Sequence, residues 1–232
     1  MKSYGQFCPV AKAAELFCER WTALILRDLA LGATRFSELQ RGVPLASPTI
    51  LARRLGELAA EGIVERRKER GRRWTYHLTP AGHDFVPVVM ALGEWGQRWS
   101  RRELAEHEVD LGLLLWAVER GARPDIFGAG RTVIEFQFPD QPDHKRRWWF
   151  LNDHGRIELC LEQPGGEVAL HLRVSLPDMI RIWRGDLSLG RALEQGQLEA
   201  HGECAAVRAL PRWLGVSPLA DVASRRAELP IA

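Results

Sequence analysis

The sequence predicts an α+β protein in two parts: a helical half that ends in a β-hairpin and one long helix, then a half in which strands precede helices. Three observations carry this. Residues 47 to 79, SPTILARRLGELAAEGIVERRKERGRRWTYHLT, run a capped helix straight into a basic, strand-patterned hairpin. Four strand-like runs stand in a row between residues 131 and 175. Charge divides the same way, with 17 Lys and Arg against 11 Asp and Glu up to Glu103, net +6, and 15 against 19 after it, net −4. At 232 residues the chain has room for two cores, and the expected domains are 1–103 and 104–232.

Apolar residues at three and four spacing predict helices over Pro9 to Phe17 and Trp21 to Leu31, with Gly32 stopping the second. RFSELQRG, residues 35 to 42, makes a short third helix, and VPLA connects it to a fourth. In that fourth helix Ser47 is a good N-cap, Pro48 fits the first position, and Ile50, Leu51, Leu55 and Leu58 bury one face before Gly62 ends it. Thr49, Ala52, Arg53 and Glu57 are left outward, with Arg54 on the flank. Ile63 to Lys68 and Trp74 to Thr79 read as strands joined by a turn around Arg70, Gly71 and Arg72.

Arg66, Arg67, Lys68, Arg70, Arg72 and Arg73 place six cations in eight positions, against one acid, Glu69. Such a run also serves as a charged edge that discourages strand pairing. Its place after a capped helix favours nucleic acid instead. Helix, tight connection, second helix and basic hairpin together follow winged helix-turn-helix logic. Phe36 and Leu39 then hold the supporting helix, and Arg35 and Ser37 lie where a phosphate meets free N–H groups. Ser47, Thr49, Arg53 and Arg54 would meet the major groove, where Arg pairs with a guanine edge and Thr touches a thymine methyl. The wing cations would follow the backbone, adding salt-sensitive affinity and little discrimination.

PAGHDFVPVVMALGEWGQRWSR next predicts a long helix with Pro80 at its start. Phe85, Val88, Val89, Leu92, Trp95 and Trp99 spread an apolar face along it that is broad for a small winged domain to cover. Either a second copy or the C-terminal half would cover it.

The pieces FCPVAKAAELF, ERWTALILRDLALG, RFSELQRG, SPTILARRLGELAAEGIVERR and YHLTPAG, in that order over residues 5 to 102, resemble the HxlR family of bacterial winged helix-turn-helix regulators. That resemblance implies a homodimer built by the first and long helices, reading two half-sites of a palindromic operator on double-stranded DNA. It also implies a redox or electrophile-sensing role for Cys8, as in some members. Sensing needs a lowered thiol pKa and access, which Lys12 and the helix start would favour; the other reading is a buried small hydrophobe.

In the second half, RRELAEHEVD is strongly charged and DLGLLLWAVERGARPD makes an amphipathic helix. RTVIEFQFPD, RRWWFLND, RIELCLEQ and EVALHLRVS follow as strands, with turns at 140–143, 153–155 and 164–166, so an antiparallel sheet is expected. LPDMIRIWRG and LSLGRALEQG return to helical spacing, QLEAHG is a short strand, and ECAAVRALPRWLG closes the domain. This order, with Ala192, Leu193, Gly196, Leu198 and Gly202 in place, resembles the sterol carrier protein 2 family over roughly residues 107 to 218. The resemblance implies an SCP2-like sheet beneath helices that encloses an apolar tunnel for a lipid-like small molecule. Trp116, Phe136, Phe138, Trp148, Phe150, Leu161, Leu172, Ile180 and Trp183 would line it, or would form a filled core. Arg147, Arg173 or Arg184 would face a carboxylate head group.

MKSYGQFCPV lacks a signal-peptide pattern, LGLLLWAV is too short to span a bilayer, and four separated cysteines without CxxC suggest neither zinc nor a disulfide framework. A cytoplasmic protein without membrane, metal or cofactor is expected. Some small-molecule O-methyltransferases dimerise through a winged helix, but VIEFQFPD ends without the GxGxxG their cofactor needs, and P-loop, HExxH and GxSxG are also missing. The expected function is a dimeric DNA-binding regulator, a repressor by promoter occlusion, modulated by an apolar ligand. The alternatives are a regulator controlled by Cys8 and, from another class, a lipid-binding or acyl-handling protein that uses the winged half only to dimerise.

Overall fold

A computed structural model describes residues 3–69, 73–128 and 130–229, and the chain divides into two compact units, Met1–Gly96 and Gln97–Ala232. The division falls before the expected one after Glu103. Residues 97 to 103 are tied to the second unit, where Gln97 Nε2 donates to the Arg184 carbonyl at 3.0 Å, Arg226 Nη1 donates to that of Trp99 at 3.0 Å, and Arg101 pairs with Asp186. Charge composition does not register such ties.

In the first unit α1 (Pro9–Phe17), α2 (Thr22–Ala30), α3 (Phe36–Gly42) and α4 (Pro48–Ala60) precede an antiparallel hairpin of β1 (Val64–Lys68) and β2 (Trp74–Leu78), and α5 (Pro80–Trp95) follows. Ile25, Leu26, Leu39, Leu51, Leu55 and Leu58 meet in a core closed by Val64 and Leu78 of the hairpin. Gly62 ends α4 at φ +70°, letting the Ile63 N–H reach back to the Leu58 carbonyl at 2.9 Å, a left-handed turn that favours glycine.

Thr79 joins hairpin to α5. Its Oγ1 donates to the Gly62 carbonyl at 2.6 Å and accepts from the Gly82 N–H at 3.2 Å, capping the helix. Gly82 lies so close to the hairpin that a Cβ there would fall 2.4 Å from the Ile63 carbonyl oxygen. Gly82→Ala is therefore expected to destabilise the first unit by about 1–3 kcal/mol, as overpacking does. A denaturant midpoint equal to that of the parent chain would refute this close approach.

The second unit holds α6 (Leu111–Gly121), β3 (Thr132–Gln137), β4 (Arg147–Asp153), β5 (Arg156–Cys160), β6 (Val168–Val174), α7 (Leu176–Arg184), α8 (Leu189–Glu194), β7 (Leu198–Gly202) and α9 (Cys204–Trp213). Strand order is β5-β4-β3-β6-β7, and the β3–β6 pair is parallel, with Phe136 opposite Leu172. The expected antiparallel sheet is thus mixed. After β5 the chain returns through residues 161 to 167 to the free edge of β3, and that return sets the direction. Alternation of apolar residues is the same for both pairings and does not reveal it.

Ile134, Phe136, Phe138, Phe150, Leu170 and Leu172 pack against Leu115, Met179, Ile182, Leu210 and Trp213 of the helices. Alternate positions carry charge on the other face: Glu135 bonds His171 Nδ1 at 2.6 Å and pairs with Arg147 at 3.5 Å, and Arg173 pairs with Glu199 at 3.1 Å. Arg147 and Arg173 therefore point away from the apolar core, and Arg184 engages Asp186 at 3.2 Å. The expectation that they face a ligand head group there is corrected. Among the described residues no helix is long and apolar enough to cross a membrane.

Candidate nucleic-acid interface

The two helices of the candidate reading head are held by short polar bonds. At the start of α3, Glu38 Oε2 accepts from the N–H groups of Thr34 at 2.8 Å and Arg35 at 2.9 Å, reaching back as a capping-box acid does. Leu39 is fully buried, Phe36 packs on the core, and Arg35 and Ser37 stay exposed beside the helix start. Gln40 Nε2 donates to the carbonyls of Ala46 at 2.6 Å and Val43 at 3.4 Å, pinning the connection to α4. Ser47 then caps α4 by accepting from the Ile50 N–H at 3.3 Å.

On α4, Leu51, Leu55 and Leu58 face inward, and Ser47, Thr49, Ala52 and Arg53 outward. Arg53 is 64 % exposed and makes only a long ion pair with Glu57, at 3.9 Å. Arg54 is different. Its side chain is 5 % exposed and held between Glu57 at 2.6 Å and Glu19, from the α1–α2 connection, at 3.0 Å. The expectation that Arg54 meets the groove is corrected: two carboxylates from separate elements turn it into an internal tie. Helical spacing alone placed it on the flank, and nothing in a linear pattern pairs it with Glu19.

The hairpin is fixed to this head. The Tyr76 N–H donates to the Thr34 carbonyl at 2.8 Å, and Arg35 makes an isolated bridge to Thr75. Arg66, Arg67, Lys68 and Arg73 are exposed along it, Arg67 pairing with Glu65. Arg70 and Arg72 lie outside the described residues. Trp74, which charge counting overlooks, is 43 % exposed and lies under Arg66, whose guanidinium carbon is 4.0 Å from the ring centroid. An aromatic strand residue next to a basic run was the available signal.

The six residues of the expected dimer face separate. Phe85 stacks on Phe17 with ring centroids 3.4 Å apart and Val89 is buried in the first unit's core, while Trp99 belongs to the second unit, where Arg225 lies over its ring at 5.1 Å. Val88, Leu92 and Trp95 remain more than half exposed. Cys8 is half-buried at the N-cap of α1, and Lys12, expected near its thiol, instead bonds Glu15 at 3.2 Å.

The candidate ligand residues separate as well. Phe136 and Phe150 close on Trp213, with their own centroids 5.2 Å apart edge to face, Phe138 stacks on Phe136 at 6.1 Å, and all four are fully buried. Trp116 is buried beneath Arg120, Trp148 is half-buried with its Nε1 donating to the Lys145 carbonyl at 2.7 Å, and Trp183 is half-buried on α7. Leu161 is 74 % exposed beyond the end of β5, so its assignment to the lining is corrected. A cleft of about 420 Å³ borders β7 and α9, lined by Ala200, His201, Gly202, Cys204, Val207 and Arg208 and by none of these aromatics.

Residues 16–104 match the model of the HxlR-like helix-turn-helix family. The chain is 36 % identical over 98 residues to the uncharacterized HTH-type transcriptional regulator YvaP of Bacillus subtilis (strain 168), covering 41 % of this chain and 91 % of that one. It is 33 % identical over 104 residues to the uncharacterized HTH-type transcriptional regulator sll1512 of Synechocystis sp., covering 44 % and 77 %. Among solved structures it is similar to diamide-treated YodB from B. subtilis, at 34 % identity and a TM-score of 0.34, over 39 % of this chain and 93 % of that one.

Proposed function

The chain belongs to the HxlR-like helix-turn-helix family, and from that premise we propose a dimeric transcriptional repressor that reads a palindromic operator through its first unit and responds to an apolar, lipid-like ligand in its second. The observation that carries this reading is the exposed row Ser47, Thr49 and Arg53 at the start of a helix that Ser47 caps and whose connection to α3 Gln40 pins, with the cationic hairpin beside it. A rigid helix start with small and cationic groups suits the major groove, and Arg66, Arg67, Lys68 and Arg73 suit phosphates. Val88, Leu92 and Trp95 support a second copy as the cover of α5, giving two-fold symmetry that matches paired half-sites. Occlusion of a promoter follows from occupancy alone.

Ligand control requires that the bound ligand favour one spacing of the two reading helices. The order of strands and helices in the second unit supports an SCP2-like, lipid-accommodating domain, although its aromatic centre around Trp213 is packed, so an entering ligand would have to displace side chains. A second reading rests on Cys8, a half-buried thiol that makes no capping bond among the described residues at the start of α1, on the element expected to dimerise.

Fluorescence anisotropy of the full chain on DNA upstream of its own gene, against a shuffled duplex over a salt series, tests the main reading. Selective binding whose logarithm falls linearly with that of salt is expected. Arg53→Ala is expected to lose roughly 10- to 100-fold in preference for the operator, the size of one lost base contact. Release by fatty acids separates ligand control from release by diamide that Cys8→Ser abolishes. Equal weak binding to both duplexes would instead favour a lipid-handling protein with a borrowed dimerisation unit.

A further inference from the structure

On one face of the hairpin, strand register sets Lys68 directly opposite Trp74, with Arg66 two residues along on the same side. The Arg66 guanidinium carbon lies 4.0 Å and the Lys68 ammonium 5.8 Å from the centre of the same indole ring. One partly exposed aromatic thus holds two cations that would otherwise sweep wide arcs on long flexible stems. The only acid of β1, Glu65, is committed to Arg67 on the opposite side of the strand, so it does not compete for them. At its base the hairpin is fixed by the Thr34 to Tyr76 bond and by the Arg35 bridge to Thr75.

From this geometry we infer that Trp74 is a positioning residue for DNA: it presents Arg66 and Lys68 as one preformed pair to neighbouring phosphates. The inference rests on the DNA-binding reading above and deepens it. Two charges already ordered lose less conformational freedom on binding than two free ones, so a ring that touches no DNA strengthens the complex. Because each backbone phosphate neutralised releases its counterion, the pair also sets part of the salt slope.

The test is a double-mutant cycle on the full chain, read by anisotropy on the selective duplex. Trp74→Leu is expected to weaken binding about two- to fivefold, the size of an exposed cation–π contact, and Trp74→Phe to restore most of the loss. Introduced into Arg66→Ala, Trp74→Leu is expected to cost clearly less than in the parent chain. Thermal unfolding of each variant should shift by no more than the loss of such an exposed contact, which separates a positioning role from a structural one. An equal loss in both backgrounds would assign Trp74 a direct DNA contact and overturn the inference, as would no loss at all. Failure of the parent chain to prefer the operator would bring down the DNA-binding reading and this inference with it; selective binding by the parent with an additive cycle brings down the inference alone.

Discussion

Replacing Glu19 and Glu57 together by Gln is expected to destabilise the first unit by about 3–5 kcal/mol, because it leaves the Arg54 guanidinium buried without a carboxylate. Either single replacement is expected to cost less than half as much, since the other acid stays within 3.0 Å. The two effects should therefore be strongly non-additive. Arg54→Met should cost less than the double change: the acids it leaves behind are 38 % and 31 % exposed and recover water, whereas Arg54 at 5 % exposure does not. Calorimetry of the full chain, following the first unit's transition, measures this. Additive single effects would show that Arg54 is solvated in solution. The tie matters for reading DNA because it joins the α1–α2 connection to α4, so loosening it should also lower operator affinity.

Trp213→Ala is expected to cost the second unit about 3–5 kcal/mol, the range for emptying a large aromatic site in a core. Its ring lies 5.9 Å from Phe127, 6.3 Å from Phe136 and 6.1 Å from Phe150, and it is fully buried. Trp213→Phe should cost less than half of that. Among the described residues the indole Nε1 has no hydrogen-bond partner, so only volume is lost and no acceptor is orphaned. Equal losses for Ala and Phe would mean that the N–H, rather than the ring, matters. A small loss for Ala would mean that the centre of this unit is already loosely filled, as an open tunnel requires.

Much of the reading head was legible because its signals are local. Ser47 before Pro48, Gly62 after Ala60, and Leu51, Leu55 and Leu58 at helical spacing depend on neighbours within two turns, and the structure places α4 on those residues. The elements of the second half fall where alternation and turn residues put them. Partners distant in sequence were not legible. Helical spacing shows Glu38 and Gln40 only as helix residues, although Glu38 stands three positions after Arg35, the spacing of a capping box. Arg54 was misplaced because its partner Glu19 is 35 residues away, and Leu161 because strand pattern does not reveal where pairing stops.

The sequence by itself determined the order and type of elements, the cationic hairpin and the family of the first unit, since periodicity, caps and ordered motifs are properties of short segments. Only the tertiary structure decided that Arg54 is buried between two acids while Arg53 is exposed, that β6 runs parallel to β3, and that Phe136 and Phe150 close on Trp213. Those outcomes depend on charges, strand edges and ring volumes that meet across long stretches of chain, where burial selects among partners that local pattern leaves equivalent.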